Sequence, residues 1–275
     1  IFNSPQQIER AALILENARA SGQSFDVGLR LNPQVPTGEV PRYDPSSPGS
    51  RLGFPIDQLT PEIMEGIDGI HFHNLCEQDF EPLHATWDKV FDAIEPWFGQ
   101  LKWINMGGGH HITRADYQRE ELIEFLRDAK DDTGAEIYLE PGEAAITKST
   151  TLEVTVLDTL HNGKNLAIVD SSIEAHMLDL LIYREPAKVA PNTGDHDWMI
   201  CGKSCLAGDI FGEFKFDAPL KPGDRISFQD AAGYTMVKKN WFNGVKMPGI
   251  AIRELDGTIT SVRSFDYEDF KSALS

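Results

Sequence analysis

Strand-like runs that alternate with helical patterns constrain the fold of this chain most. The runs begin near residues 69, 103 and 136, and an amphipathic stretch follows each of the first two. The apolar residues of the first stretch fall on one helical face, namely Leu83, Trp87, Val90, Phe91, Ile94 and Phe98. Strands and helices at this interval are typical of a parallel sheet with helices outside it, so we predict an α/β first half.

The beginning of the chain continues this pattern. Ser4 and Pro5 predict an N-cap and the first residue of a helix, and Gln7 would complete a capping box. A further strand is predicted at residues 25–31. The loop at residues 32–55 contains six prolines. Loops of this length are usually functional lids or disordered segments, and the sequence leaves both alternatives open.

The pattern changes after about residue 146. Residues 151–160 alternate between apolar and polar, and Asn162-Gly163 is a hairpin turn signal. Short strand-like runs follow at residues 165–170, 198–201, 225–228, 249–253 and 258–262. We therefore predict two domains, an α/β domain at residues 1–145 and an all-β sandwich or barrel at residues 146–275.

Composition limits the partners. The 275 residues are 41% hydrophobic, which allows a sizeable core, and carry a net charge of −18. Nucleic acids and anionic membranes need clustered Lys and Arg, so neither is expected as a partner. A cationic small substrate would suit the charge, although an acidic surface explains it equally well. Cys76, Cys201 and Cys205 are too few for a disulfide framework and predict a reducing cytoplasm. No window reaches ~18 apolar residues, so no membrane span is expected.

Three predicted strands end in residues that can carry chemistry. They end in His71-Phe72-His73, Gly107-Gly108-Gly109 and Glu140-Pro141-Gly142. Functional sites of parallel βα folds lie at the carboxyl ends of the strands, so a histidine, a glycine-rich phosphate cradle and a carboxylate should converge. Taken singly, each has an ordinary explanation as a core histidine, a tight turn or a solvated strand end. Their joint placement favours a site.

The histidines also permit a metal site. His71 and His73 form an H-x-H pair at a strand end, and His110-His111 could complete a set of imidazole ligands. No acidic residue is expected beside these histidines in the pattern that a hydrolytic metal barrel needs. A metal-dependent hydrolase is therefore the less favoured alternative, and no metal is predicted.

The second half adds two candidate groups. Cys201 and Cys205 lie four apart in a glycine-rich segment, where they are either buried small residues or, beside Lys203, a thiol of altered pKa that donates a proton. Tyr234 follows Gly233 and is either a core tyrosine or a phenol that reaches a site.

Five motifs therefore stand in one order along the chain, at residues 70–77, 107–109, 140–144, 202–209 and 233–235. Together they resemble the fold-type III pyridoxal-phosphate decarboxylases of the alanine racemase and ornithine decarboxylase group. The resemblance covers nearly the whole chain. It implies the C-terminal half of a (β/α)8 barrel with its last four full strands, a C-terminal β domain, a pyridoxal 5'-phosphate cofactor and a decarboxylation reaction.

The resemblance also implies roles for the cofactor-binding residues. Glu140 would bond to the pyridine nitrogen and keep it protonated, which stabilises the carbanion left by loss of CO2. His73 would stack on the ring. The phosphate would be held by the Tyr234 hydroxyl and by the backbone N–H groups of Gly107, Gly108 and Gly109.

A cysteine matching Cys205 comes from the partner subunit in the ornithine-type enzymes and protonates the carbanion, so a homodimer with shared sites is implied. Glu143 stands where those relatives have a phosphate-binding arginine, and Asp179 stands at a substrate-amine position. These carboxylates would suit a triamine-like substrate such as carboxynorspermidine or carboxyspermidine. Leu206 replaces an acidic residue of the amino acid decarboxylases, which leaves Asp209 as the acidic group of that loop and as a third residue expected to bind the substrate.

The family's Schiff-base lysine would lie on the first barrel strand, upstream of Ile1. Lys148 and Lys203 do not match its position. A half barrel leaves strand edges open, so roughly ninety to a hundred further residues are expected before Ile1. The alternative is a catalytically inactive protein of this fold that binds a cofactor-like phosphate ligand or a partner subunit. One methylene separates the two triamine products, and the sequence does not distinguish them.

Overall fold

A computed structural model describes residues 1–38 and 41–275 of the chain. Residues 39 and 40 belong to the proline-rich loop, and that part of the loop lies outside the described residues. The chain divides into two compact units, Ile1–Ala145 and Ile146–Ser275.

The first unit alternates strands and helices. Its helices are α1 (Pro5–Ala20), α2 (Pro61–Met64), α3 (Glu81–Ile94), α4 (Arg119–Thr133) and α5 (Glu143–Ile146), which begins at the end of this unit. Its strands are β1 (Gly28–Asn32), β2 (Phe54–Pro55), β3 (Gly69–Phe72), β4 (Trp103–Asn105) and β5 (Glu136–Tyr138). They form one parallel sheet in the order β2-β1-β3-β4-β5. The α/β prediction is confirmed, and the sheet fits part of a (β/α)8 barrel.

The sheet has one apolar and one polar face. Leu29 pairs with Ile70, which pairs with Ile104, and all three are fully buried. The next row in register is Arg30, His71 and Asn105. Because successive side chains of a strand point to opposite faces, this polar row lies on the face opposite the apolar row.

Trp103 explains why two strands begin with glycine. A Cβ on Gly28 would lie 2.3 Å from the Trp103 indole, and one on Gly69 would lie 2.2 Å from it. The indole therefore covers the starts of β1 and β3, and any larger residue at either position would displace it.

The helices largely follow the sequence prediction. Helix α1 begins at Pro5, but the predicted capping box is wrong. Ser4 makes no side-chain cap, and the side-chain oxygen of Gln7, Oε1, accepts from the Asn3 N–H. The predicted apolar face of α3 is confirmed for Leu83, Trp87, Val90 and Ile94, which are buried, whereas Phe98 lies beyond the end of the helix. Among the described helices, none has the length and apolar character needed to cross a lipid bilayer.

The described part of the proline-rich loop is folded. Asp44 is buried, and its carboxylate accepts from the N–H groups of Gly38 and Ser46. Residues 41–45 and 47–52 surround an open hollow of about 380 Å³. The loop therefore has local order of its own before it reaches β2.

The second unit is built on a mixed sheet. Its strands are β6 (Leu152–Asn162), β7 (Lys164–Val169), β8 (His196–Cys201), β9 (Ile210–Phe216), β10 (Arg225–Phe228), β11 (Ile250–Arg253) and β12 (Ile259–Arg263). Its helices are α6 (Ile173–His176), α7 (Leu178–Tyr183), α8 (Tyr234–Lys238) and α9 (Tyr267–Ala273). The main sheet has the order β10-β6-β7-β8-β9, and β11 and β12 form a separate hairpin. The prediction of an all-β half needs correction, since short helices join its strands and β7 runs parallel to β8.

Candidate active site

The glycine triplet after β4 lies against two neighbouring strand ends. Gly107 and Gly109 have left-handed backbones, with φ of 72° and 84°. A Cβ on Gly108 would lie 2.4 Å from the Glu140 carbonyl oxygen, and one on Gly107 would lie 2.5 Å from the Phe72 carbonyl oxygen. These positions require glycine because backbone from the ends of β3 and β5 fills the space that a side chain would need.

The N–H groups of the triplet differ in their availability. The Gly107 N–H donates to Asn105 Oδ1 at 2.9 Å, and the Gly108 N–H donates to His73 Nδ1 at 3.2 Å. Among the described residues, no such acceptor faces the Gly109 N–H. The expected cradle of three N–H groups is therefore reduced to its Gly109 end in this arrangement.

Glu140 follows β5 and is held from two sides. Its Oε1 accepts from the Asn105 amide at 2.8 Å, and its backbone N–H donates to the Gly107 carbonyl at 2.8 Å. Its Oε2 lies 3.6 Å from His71 Nε2, which is longer than a hydrogen bond. The side chain is 47% exposed, so Oε2 is oriented and still accessible to a donor.

Two neutral imidazoles stand beside this carboxylate. Burial lowers the pKa of His71 to about 4, with Arg30 acting in the same direction and Glu140 opposing it. Burial also lowers the pKa of His73, again with Arg30 acting in the same direction. Because His73 Nδ1 accepts the Gly108 N–H, its proton is on Nε2. Both rings are therefore uncharged at neutral pH.

Arg30 is a site residue that the sequence analysis missed. It lies in register with His71 on the polar face of the sheet, and its Nη2 donates to the His73 carbonyl at 3.5 Å. Its Nε is buried without a partner among the described residues. A charged residue between Leu29 and Leu31, in a predicted strand, was the signal that could have revealed it.

Gln78 is a second missed residue, and it joins three loops. Its side chain donates to the Thr37 carbonyl at 2.7 Å and accepts from the Cys76 N–H at 3.3 Å. Its backbone N–H donates to the Gly109 carbonyl at 2.9 Å. Gln78 therefore fixes the loops after β1, β3 and β4 relative to one another. No pattern in the sequence marked it.

One expectation about metals was wrong. A carboxylate does lie beside the H-x-H pair, since donor atoms of His71, His73 and Glu140 lie within 4.8 Å of one another. His110 does not join them in the described part of the chain, because it is buried with Nε2 3.1 Å from the Gly107 carbonyl. The cationic Arg30 beside both imidazoles opposes a metal ion at this position.

In the second unit, Cys205 and Asp209 have different environments. The Cys205 thiol is exposed, whereas burial and then Asp209 raise the pKa of the half-buried Cys201. Asp209 is buried, and its two oxygens accept from the N–H groups of Ile173 and Ser204 at 2.8 and 2.9 Å. The expectation that Asp209 meets the substrate therefore needs correction, because its carboxylate holds the loop that carries Cys205.

The remaining candidates lie in two places. In the second unit, Asp179 Oδ1 accepts from Lys238 Nζ at 2.6 Å, and this ammonium lies 4.7 Å from the centre of the Tyr234 ring. In the first unit, Glu143 is the first residue of α5, three residues after Glu140. Tyr234 is exposed, so it is not the core tyrosine of the ordinary explanation.

Comparison with known proteins decides the family. Residues 42–232 match the model of the pyridoxal-dependent decarboxylase C-terminal sheet domain. A carboxynorspermidine/carboxyspermidine decarboxylase of Herminiimonas arsenicoxydans is 49% identical over 276 residues, covering 100% of this chain and 74% of that protein. The chain belongs to the pyridoxal-dependent decarboxylases. Its cofactor is pyridoxal phosphate.

Two further relatives of this decarboxylase are informative. The crystal structure of carboxynorspermidine decarboxylase from Campylobacter jejuni, complexed with norspermidine, has a TM-score of 0.85 and 34% identity, covering 99% of this chain and 74% of that one. A carboxyaminopropylagmatine decarboxylase of Synechocystis is 36% identical over 283 residues, covering 99% of this chain and 71% of that protein. Both are named as decarboxylases.

The residues of the decarboxylase fit the cofactor. An oriented carboxylate oxygen at Glu140 suits a protonated ring nitrogen, and the neutral His73 imidazole suits an aromatic ring face. The Gly109 N–H lies at a glycine turn after a strand, which suits a phosphate oxygen.

Proposed function

We propose that this decarboxylase acts on carboxynorspermidine, carboxyspermidine or both, and forms norspermidine or spermidine and CO2 in polyamine biosynthesis. The reaction type is supported by one observation: Asn105 fixes the carboxylate of Glu140 through one oxygen, and the other oxygen stays accessible. The substrate class is supported by the 49% identical relative and by the norspermidine complex of the Campylobacter jejuni protein.

Each cofactor-binding residue has a defined task in this proposal. When bound, pyridoxal phosphate supplies a protonated pyridine ring that delocalises the electron pair left by loss of CO2. Glu140 would accept the ring N–H through its accessible carboxylate oxygen. His73 covers the ring face as a neutral imidazole, so no positive charge on it competes for the electron pair. The Gly109 N–H would donate to the phosphate, and the exposed Tyr234 hydroxyl is a further candidate phosphate donor.

The proton that completes the reaction comes from Cys205. Its thiol is exposed, whereas the Cys201 thiol is half-buried. The Asp209 carboxylate fixes the loop that carries Cys205 by accepting the Ser204 N–H. An exposed thiol can donate its proton to a strongly basic carbon. The proposal includes a cytoplasmic location, because a reducing compartment keeps Cys205 in the thiol form.

Two carboxylates serve the amines of the substrate. Asp179, which now pairs with Lys238, would bind a terminal ammonium of the substrate. The Tyr234 ring beside Lys238 would add an aromatic face to this site. Glu143 would meet a second amine near the cofactor end, since it follows Glu140 by three residues. Two carboxylates suit a substrate with several positive charges.

A homodimer is part of the proposal. The β11–β12 hairpin exposes apolar residues on both of its faces, with Ile252 and Val262 on one face, Ile259 on the other and Leu255 in the turn. Exposed apolar residues gathered on one hairpin favour burial against a partner, and a second copy would cover both hairpins by symmetry.

The alternative of an inactive binding subunit is not favoured, since the chain retains Glu140 and Cys205.

Decarboxylation assays on the full-length protein with bound cofactor test this function. Release of CO2 from carboxynorspermidine or carboxyspermidine, with kcat/KM about 100-fold above that for ornithine or diaminopimelate, is the expected result. Good turnover of ornithine with none of the carboxylated triamines would overturn the proposed substrate class.

A further inference from the structure

The pair formed by Asp179 and Lys238 has the composition of an ammonium-binding site. Lys238 Nζ lies 2.6 Å from Asp179 Oδ1 and 4.7 Å from the centre of the Tyr234 ring. A carboxylate and an aromatic face on one cation are the groups with which proteins bind primary amines. The side chains of Lys238 and Asp179 are 34% and 20% exposed, so the site is sheltered but open to solvent.

The lysine occupies the place that the proposed function gives to the substrate. A lysine side chain ends in a primary ammonium on a polymethylene chain, and so does each end of norspermidine or spermidine. The two cannot contact the same oxygen of Asp179 and the same face of Tyr234 together. We propose that Lys238 is an internal competitor for the substrate's terminal ammonium, an inference that rests on the proposed function.

The local structure allows Lys238 to leave. It is the last residue of α8, a helix of five residues that follows Gly233, whose φ is 52°. Its side chain is 34% exposed, so a rotation of that side chain would return the ammonium to water. The departing lysine is replaced by an ammonium of the same charge, so Asp179 stays paired throughout the exchange.

This exchange acts on binding rather than on the chemical step. When an internal group occupies a site for most of the time, the apparent dissociation constant rises by the inverse of the fraction that is free. In a partly exposed ion pair, the Lys238 ammonium occupies the Asp179 carboxylate for enough of the time to weaken substrate and product binding about five- to tenfold. Lys238 therefore raises KM and assists release of the polyamine product, while kcat is set elsewhere.

Five variants of the full-length holoenzyme test the inference. Lys238→Met should lower KM for carboxynorspermidine about five- to tenfold, with kcat within about twofold. Lys238→Arg retains a cation and should stay near the parent. Lys239→Met is the matched control, since the Lys239 ammonium donates to the Met236 carbonyl. In an Asp179→Asn background, Lys238→Met should have no effect. A KM that rises in Lys238→Met, or falls equally in the Asp179→Asn background, would overturn the inference.

Calorimetric titration with norspermidine separates this inference from the proposed function. If Lys238 competes for the amine site, the dissociation constant falls about five- to tenfold in Lys238→Met, whether or not carboxynorspermidine is turned over. An unchanged constant in Lys238→Met would contradict the competitor role and leave the proposed function standing, whereas no binding of norspermidine to either protein would overturn both. Far-UV circular dichroism and the melting temperature confirm that each variant is folded.

Discussion

The side-chain amide of Asn105 donates to Oε1 of Glu140 at 2.8 Å, while Oδ1 of the same residue accepts the Gly107 N–H at 2.9 Å. One residue of β4 therefore fixes both the carboxylate after β5 and the first glycine of its own turn. The orientation of Glu140 and the shape of the turn are coupled through a single amide.

Replacement of Asn105 tests this coupling. Asn105→Ala should lower kcat about tenfold and weaken cofactor binding, because the carboxylate loses its neutral donor and the turn loses its acceptor. Asn105→Asp should be worse, because two carboxylates would then face each other. Steady-state assays and absorbance titration with pyridoxal phosphate measure both effects. Equal activity of Asn105→Asp and the parent would show that the contact is unimportant.

Gly108→Ala tests the packing at the strand ends. The added Cβ would lie 2.4 Å from the Glu140 carbonyl oxygen, so backbone must move, and we expect a loss of about 2–4 kcal/mol in the free energy of unfolding. Gly99→Ala is the control, since a Cβ there has no neighbour within 4 Å. Urea denaturation compares the two. A Gly108→Ala protein as stable as Gly99→Ala would show that the turn has room for a side chain.

The two cysteines of the second unit should behave differently. Cys205→Ala removes the proposed proton donor and should lower kcat about 100-fold. Cys201→Ala removes a thiol whose pKa is raised by burial, and it should change kcat by about twofold or less. Product analysis by mass spectrometry in D2O reports whether the proton still reaches the product carbon. Equal losses in both variants would contradict the assignment.

His176 should make the second unit sensitive to acid. Burial lowers its pKa to about 4, and its Nδ1 lies 2.8 Å from the Ser171 hydroxyl. The unfolded chain binds the proton near pH 6.5, so stability is lost as the pH falls from about 6.5 to about 4, reaching roughly 2 kcal/mol at pH 5.

The variant His176→Asn keeps an amide that can hydrogen-bond to Ser171 and cannot be protonated, so it should lose less stability than the parent between pH 7 and pH 5. The exposed His161→Asn is the matched control and should follow the parent. Urea unfolding at both pH values measures the difference. If His176→Asn and the parent lose the same free energy, another group causes the acid sensitivity.

Much of the first unit could be predicted because its signals are local. The strands at β3, β4 and β5 follow from short apolar runs, and the helical face of α3 follows from a 3.6-residue period. The convergence of His73 and Glu140 followed from one topological rule about parallel strands.

The features that the sequence did not reveal depend on three-dimensional partners. Arg30 and Gln78 gain their roles from residues on other loops, which no spacing encodes. The sequence alone suggested that Asp209 binds the substrate. In the structure, both of its carboxylate oxygens accept from the N–H groups of Ile173 and Ser204. The helices of the second unit were missed because they are four to seven residues long, too short for a helical period to be visible.

We propose that the carboxylate of Glu140 makes this site a decarboxylase. The role is tested by kcat/KM of Glu140→Gln with carboxynorspermidine, in protein whose cofactor content is confirmed by absorbance and whose fold is confirmed by circular dichroism. The glutamine cannot hold a positive charge on the ring nitrogen, so we expect a fall of about 10³-fold. A Glu140→Gln protein within about threefold of the parent would contradict this role of Glu140.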